Sequence, residues 1–360
     1  MNLNIIKNIL APFALTGLLL AGCSSWTDTR IKDADDLTNP NSDHAYFEAL
    51  KAYKKSDHAV TFGWFGNWTG KGVSLENSMK GLPDSVDFVS MWGGWKSPTP
   101  EMLADLRHVQ KVKGTRALVC CIVLDIGDQI TPEQYNHTLE ARKEFWGWVD
   151  GDDVSIEKAI RKYANAFCDT IDKYNYDGFD LDWEPNYAQP FETKKEMAKG
   201  NRIDIFLEEM SKRVGPKSGT DRLLVIDGEP YDVQPETGKV FDYFIVQAYR
   251  SYGEADLNNR LNRVIRAFDG VLEAEEVARK FIVTENFESF AEGGGVIFDG
   301  KYRSLEGMAR WNPIINGKEV RKGGVGTFHM EYEYSPDGFP LGVTYPYLRK
   351  ATQIMNPANK

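Results

Sequence analysis

Cysteine is scarce, at four in 360 residues. Cys120 and Cys121 adjoin each other inside the apolar stretch ALVCCIVLDIG, Cys168 stands alone, and Cys23 lies near the N-terminus. No pair has the spacing of a metal-ligand set, and no disulfide framework is visible. Cys120 and Cys121 therefore read as core packing. Positive charge is also in deficit: 43 Lys and Arg face 53 Asp and Glu, a net charge of −10. That argues against a nucleic-acid partner, which is held by neutralising its phosphates. Most of the acidic surface is expected to be solvated. No Gly-rich phosphate loop follows the first strand candidate, which argues against a doubly wound nucleotide-binding sheet. No linker or low-complexity segment interrupts the chain beyond residue 57.

What is present begins at the N-terminus. The stretch MNLNIIKNILAPFALTGLLLAGC has one early base, Lys7, then an apolar run, then Leu20-Ala21-Gly22-Cys23. The run is too short for a good transmembrane span. It resembles a bacterial lipoprotein signal peptide, residues 1–22, cleaved before a lipidated Cys23; an ordinary secretory signal is the alternative. The resemblance implies a membrane anchor at Cys23 in the bacterial outer membrane, at the cell surface or the periplasmic face. Residues 23–56 are polar and read as a tether with a short helix over 44–54.

From residue 57 onward, apolar runs alternate with helical patterns. The strand candidates are 59–65, 86–92, 115–124, 176–184, 222–229, 243–249, 280–287 and 324–332. Most are continuous Val, Ile, Phe or Tyr runs, the pattern of parallel strands covered on both faces. Helices are expected over 100–112, 155–175, 201–214 and 255–269. Strand and helix alternating about eight times predict a single α/β domain over 57–360, an eight-stranded parallel (β/α)8 barrel.

Barrel enzymes carry their chemistry at the C-terminal ends of the strands. Here those ends are polar and aromatic. The fourth candidate is the most telling, YDGFDLDWE. Strand side chains alternate, so Asp180, Asp182 and Glu184 share one face, and Phe179, Leu181 and Trp183 share the other. The apolar set belongs against the helices, and the acids then line the barrel mouth. By the same rule Gln247 and Tyr249 share a face. Crowded carboxylates cannot all ionise freely, so at least one pKa must rise, which suits a general acid near neutral pH. A calcium site fits poorly, because calcium usually draws its ligands from a flexible loop. A barrel that has lost activity is the other reading.

The run Asp177-Gly178-Phe179-Asp180-Leu181-Asp182-Trp183-Glu184 matches D-G-x-D-x-D-x-E at every position and resembles glycoside hydrolase family 18, the family of chitinases and endo-β-N-acetylglucosaminidases. The resemblance covers roughly residues 57–350. It implies that Glu184 protonates the glycosidic oxygen, Asp182 orients the substrate's 2-acetamido group, and Asp180 shares a proton with Asp182. Tyr249 would contact the acetamide carbonyl, with Gln247 beside it. It also implies a reaction through an oxazolinium ion with net retention, with no cofactor and no metal. Further sugar contacts are expected from Trp64, Trp92, Asp125, Glu229, Glu285 and Phe328. Of the Trp residues at 64, 68, 92 and 95, one or two are expected to line the cleft.

Two departures from many chitinases lean toward the endoglycosidase branch. The S-x-G-G stretch of strand three is replaced by Val123-Leu124-Asp125-Ile126-Gly127-Asp128. The Trp near the end of strand eight is replaced by Gly326-Thr327-Phe328-His329-Met330-Glu331-Tyr332. The connection before strand eight is also too short for an inserted α+β domain, so an open cleft is expected. The expected substrate is the GlcNAc-β1,4-GlcNAc core of N-linked glycans, and the expected state is a monomer near an outer-membrane glycan importer. Chitinase action on soluble oligomers and glycan binding without cleavage are the alternatives.

Overall fold

A computed structural model describes residues 44–187 and 193–357. Cys23, the signal-peptide segment and most of the tether lie outside the described residues. Chain contacts divide the protein into Met1–Tyr46, of which only 44–46 are described, and one compact unit, Phe47–Lys360. The expected short helix is α1, His44–Lys54.

Eight parallel strands close into a barrel in strict chain order, with the last pairing back onto the first. They are β1 (Val60–Phe65), β2 (Phe88–Met91), β3 (Arg116–Ile122), β4 (Gly178–Trp183), β5 (Leu223–Gly228), β6 (Tyr243–Val246), β7 (Phe281–Asn286) and β8 (Gly324–Phe328). The chain is a (β/α)8 barrel. Nearly every strand residue is buried, as sheet covered by helices on one side and filled by side chains on the other requires.

The helices form where the sequence supplies both a cap and a stripe. Helix α2 (Pro100–His108) starts with Thr99 accepting from the Met102 N–H and Pro100 in the first turn, then runs into a π-turn, Val109–Lys113. Helix α3 (Asp153–Tyr174) is capped by Asp152, buries Ile156, Ile160, Tyr163, Phe167 and Ile171, and stops at Asn175 with φ +50°. Helices α4 (Arg202–Met210), α5 (Glu254–Ala267) and α6 (Pro346–Met355) continue the outer ring.

Two apolar layers result. Phe179, Leu181 and Trp183 join the outer layer between sheet and helices. Each contributes roughly 1.5–3 kcal/mol on burial, enough to hold β4 in the wall although its other face is acidic. The inner layer fills the barrel with Phe62, Trp64, Phe88, Leu118, Val225 and Ile245.

Several elements are shorter than expected. Candidate 243–249 ends as a strand at Val246, so Gln247 and Tyr249 lie in the following turn. The turn closes with the Ala248 N–H donating to the Val246 carbonyl, and Ala248 is fully buried. Candidate 324–332 ends at Phe328, because His329 adopts φ +53° and Met330–Glu333 form a 3-10 turn. The helix expected over 201–214 stops at Met210. Buried side chains continue past the last ladder bond in each case, so the apolar pattern does not mark the end.

Candidate active site

The centre of the site is a column of acids. Asp180 is 0% exposed and Asp182 2%, and Glu184 sits just beyond the last residue of β4, half-buried. Register with β3 sets Cys120 beside Asp180, and register with β5 sets Asp227 beside Asp182. Asp227 is also 0% exposed. One oxygen from each of Asp182, Glu184 and Asp227 lies within 4.8 Å of the other two. The Gln247 amide nitrogen donates to Glu184 Oε1 and, at 3.1 Å, to Asp227 Oδ1. Both oxygens of Asp180, Oδ1 of Asp182 and Oδ2 of Asp227 are buried without a hydrogen-bond partner of ordinary geometry.

Burial dominates the electrostatics. It pushes the Asp180 carboxyl up to about 6, although Ser90, Asp227, Cys120 and Trp64 are near enough to pull it partly back. Burial lifts Asp182 well above the usual carboxylate range, and the charges of Glu184 and Asp180 add to this. Asp227 is raised well up for the same reasons, with Asp182 its strongest charged neighbour. Glu184 is raised by burial; Gln247 opposes the shift and Glu229 reinforces it. A column of this kind must carry protons at neutral pH. Asp182, Glu184 and Asp227 have the spacing to hold a cation. The amide donor of Gln247 already occupies two of the three residues, and burial keeps the neighbouring Cys120 thiol protonated.

A glycine shapes the acid's seat. Gly228 has φ +85°, and a Cβ there would stand 2.7 Å from Glu184 Cγ and 2.8 Å from the Trp183 carbonyl oxygen. Only a hydrogen fits between β5 and the acid.

The remaining expected contacts divide into groups. Tyr249 stacks on Phe328 at 6.1 Å and 29°. Its phenol is pushed far up, first by burial and then by Asp227, Asp182 and Glu184. Phe328 is the hub of an aromatic cluster, with Trp92 edge-on at 5.4 Å and Trp64 at 6.1 Å. Trp64 is 1% exposed, so it supports Phe328 from the barrel interior and is not open to a ligand. Trp68 and Trp95 are buried as well, and Trp68 donates to Asp105. Trp92 alone of the four is half-open, and with Asn67 and Asn77 it lines a depression of about 450 Å³.

Asp125, Glu229 and Glu285 were expected to offer acceptors to sugar, but the protein itself engages them. Asp125 accepts from Thr193 and from the Lys194 and Glu196 N–H groups. Glu229 accepts from Asn186, through its N–H and its side chain, and from Tyr231. Glu285 accepts from Ser304 and from the Arg250 and Asn286 N–H groups. All three anchor rim loops, a role that single-strand alternation does not distinguish from ligand binding, and Glu229 also lines the cavity beside Glu184.

Asp227 and Gly228 were not among the expected site residues. Alternation along 222–229 puts Val225, Asp227 and Glu229 on one face, and that signal was available for Asp227. A cavity of about 540 Å³ opens on the β4–β6 side of Glu184, lined by Glu184, Gly228, Tyr231, Gln247, Arg260 and Arg263. The Arg263 guanidinium lies 4.6 Å from the Tyr231 ring centre. The aromatic cluster around Phe328 lies on the opposite, β1–β2–β8 side.

A closed parallel barrel with buried acids below a half-open carboxyl at the end of β4 has the layout of a barrel enzyme with a carboxyl acid at its mouth. The family model described as "Glycoside hydrolase family 18, BT1044-like" matches residues 27–354, and the chain belongs to glycoside hydrolase family 18. Among curated proteins it is 24% identical over 334 residues to endo-beta-N-acetylglucosaminidase F2 of Elizabethkingia meningoseptica, covering 86% of this chain and 85% of that one. Among solved structures, a selenomethionine form of a BT1044 Glu-to-Gln variant is 36% identical with a TM-score of 0.71, covering 87% of this chain and 92% of that chain. An endo-beta-N-acetylglucosaminidase variant from Cordyceps militaris shares the fold at 19% identity and a TM-score of 0.60, covering 87% and 96%.

Proposed function

We propose that this protein is an endo-β-N-acetylglucosaminidase that cuts the GlcNAc-β1,4-GlcNAc bond in the core of N-linked glycans. The observation that carries the reading is the position of Glu184. It is held by Gln247 above the buried acids, with the 540 Å³ cavity on one side and the Tyr249–Phe328 surface on the other. The sugar to be cut rests over Tyr249, Phe328 and Asp182, and the leaving portion extends into the cavity. Glu184 gives its proton to the glycosidic oxygen as the C1–O bond breaks. The acetamide oxygen bonds to C1 and forms an oxazolinium ion, while Asp182 accepts the acetamide N–H. Water then attacks C1 as the bond from C1 to the acetamide oxygen breaks, restoring the acetamide, and the water's proton returns to Glu184, with net retention. Asp180 sits deepest and holds a proton for Asp182. The 24% identity to the curated endoglycosidase over most of both chains supports this reading. We further propose that the protein sits on the outer membrane through a lipid at Cys23, from the N-terminal pattern, and beside a glycan importer, from that pattern together with the family resemblance.

The test uses a high-mannose glycoprotein, a complex-type glycoprotein and soluble chitin oligomers, with products followed by mass spectrometry. Wild-type chain lacking residues 1–22 is expected to release glycan one GlcNAc short, and Glu184→Gln to lose this by at least about 10²-fold. Binding of glycan with no cleavage by either form would overturn the reading. Cleavage of chitin oligomers alone would make the protein a chitinase.

A further inference from the structure

The D-G-x-D-x-D-x-E run accounts for the acids of β4 but not for Asp227, which enters the same column from β5. Asp182 and Asp227 are register partners, both are essentially unexposed, and each carries a buried oxygen without a partner. Two carboxylates in that position cannot both be anions beside Glu184 and Asp180. Gln247 has no acidic hydrogen to lend, and its amide nitrogen already donates to Asp227 Oδ1 and to Glu184.

We propose that Asp227 is a positioning residue that stays protonated at neutral pH and donates its hydrogen bond to Asp182, holding Asp182 as the carboxylate that receives the acetamide N–H. This rests on the reaction proposed above. The groups facing Asp227 are Asp180 and Asp182 on β4, Glu184 just after it, Cys120 on β3, and Gln247 and Tyr249 after β6; none of them is a cation. With no positive charge to hold Asp227 ionised, a proton is what reconciles its burial with its neighbours. Burial lifts both carboxyls well up, and the nearness of Asp227 is the influence that opposes the rise at Asp182; Asp227 Oδ1 accepts from Gln247 while its Oδ2 has no partner and is free to carry the proton. Asp227 also shares the Gln247 amide with Glu184, so a proton on Asp227 leaves that amide free to favour the acid's orientation.

Two variants separate a neutral donor from a charged carboxylate. Asp227→Asn keeps an N–H donor at every pH, whereas Asp227→Ala keeps none. Both are compared with wild type on the glycoprotein that wild type cleaves. Asp227→Asn is expected to retain kcat within about 10-fold and to leave the acidic limb of the kcat/KM profile in place. Asp227→Ala is expected to lose about 10²-fold in kcat, with the acidic limb moved upward by about one pH unit, because Asp182 is then harder to ionise. Loss in Asp227→Asn as deep as in Asp227→Ala, or an unmoved limb in Asp227→Ala, would overturn the proposal. A readout independent of turnover is the infrared carbonyl stretch of a protonated carboxylic acid at pH 7. It should be present in wild type and diminished in Asp227→Asn; an unchanged band would also overturn the proposal. Failure of wild type to cleave any glycan, with the band difference present, would count against the proposed reaction and still support a protonated Asp227.

Discussion

At the scale of single residues, the site depends on what is small as much as on what is charged. Gly228 leaves Glu184 its place because a hydrogen stands where a Cβ would lie 2.7 Å from Glu184 Cγ. Gly228→Ala is therefore expected to displace the acid. A misplacement near 1 Å costs about 10²-fold in turnover, so kcat should fall by that order while the unfolding temperature drops only by a few degrees. Unchanged kcat in a folded Gly228→Ala protein would show that Glu184 tolerates the shift. The alternation of YDGFDLDWE was enough to assign the inward acids and the outward Phe179, Leu181 and Trp183. It could not reveal Asp227 as the neighbour of Asp182, because cross-strand register is set by barrel closure and leaves no local mark. Nor could it tell that Trp64 faces the filled interior: a Trp at a strand end reads the same whether its ring is open or covered.

At the scale of elements, the strands and the main helices were legible from apolar runs, caps and periodicity. Their ends were not, because burial outlasts the ladder at Gln247–Tyr249 and His329–Glu331. The 3-10 turn after β8 carries a second consequence. Glu333 is buried there and accepts from the Tyr347 and Leu348 N–H groups at the start of α6. Burial pushes its carboxyl up to about 8 against the opposing pull of those two donors. A carboxyl raised on folding favours the folded state below its unfolded value, near 4.5, and that advantage is lost as pH rises through about 8. Wild-type unfolding temperature should then fall between pH 5 and 8 by more than that of Glu333→Gln, which keeps an acceptor for both N–H groups. A difference of a few degrees at pH 8, vanishing at pH 5, is the expected size. Parallel pH dependence of the two proteins would argue against the effect.

At the scale of the whole molecule, closure of β8 onto β1 fixes the face on which all strand ends emerge, and so brings the carboxylates of β4 and β5 together with Tyr249 and Phe328. Asn356 reinforces that closure by bonding both the N–H and the carbonyl of Ala59. The net charge of −10 and the N-terminal pattern belong to this scale too. If Cys23 carries the proposed lipid, Cys23→Ala should move the protein from the membrane pellet to the soluble fraction without changing the specific activity of the barrel. Equal membrane association of both forms would remove the anchor from the proposal.

The aromatic filling of the barrel has one more consequence, in the timing of the reaction. With Phe62, Trp64 and Phe88 filling the interior, the acid column is closed from beneath. In the reaction proposed above, the leaving portion of the glycan and the attacking water then share the strand-end face, and withdrawal of the first half clears the way for the water that forms the second product.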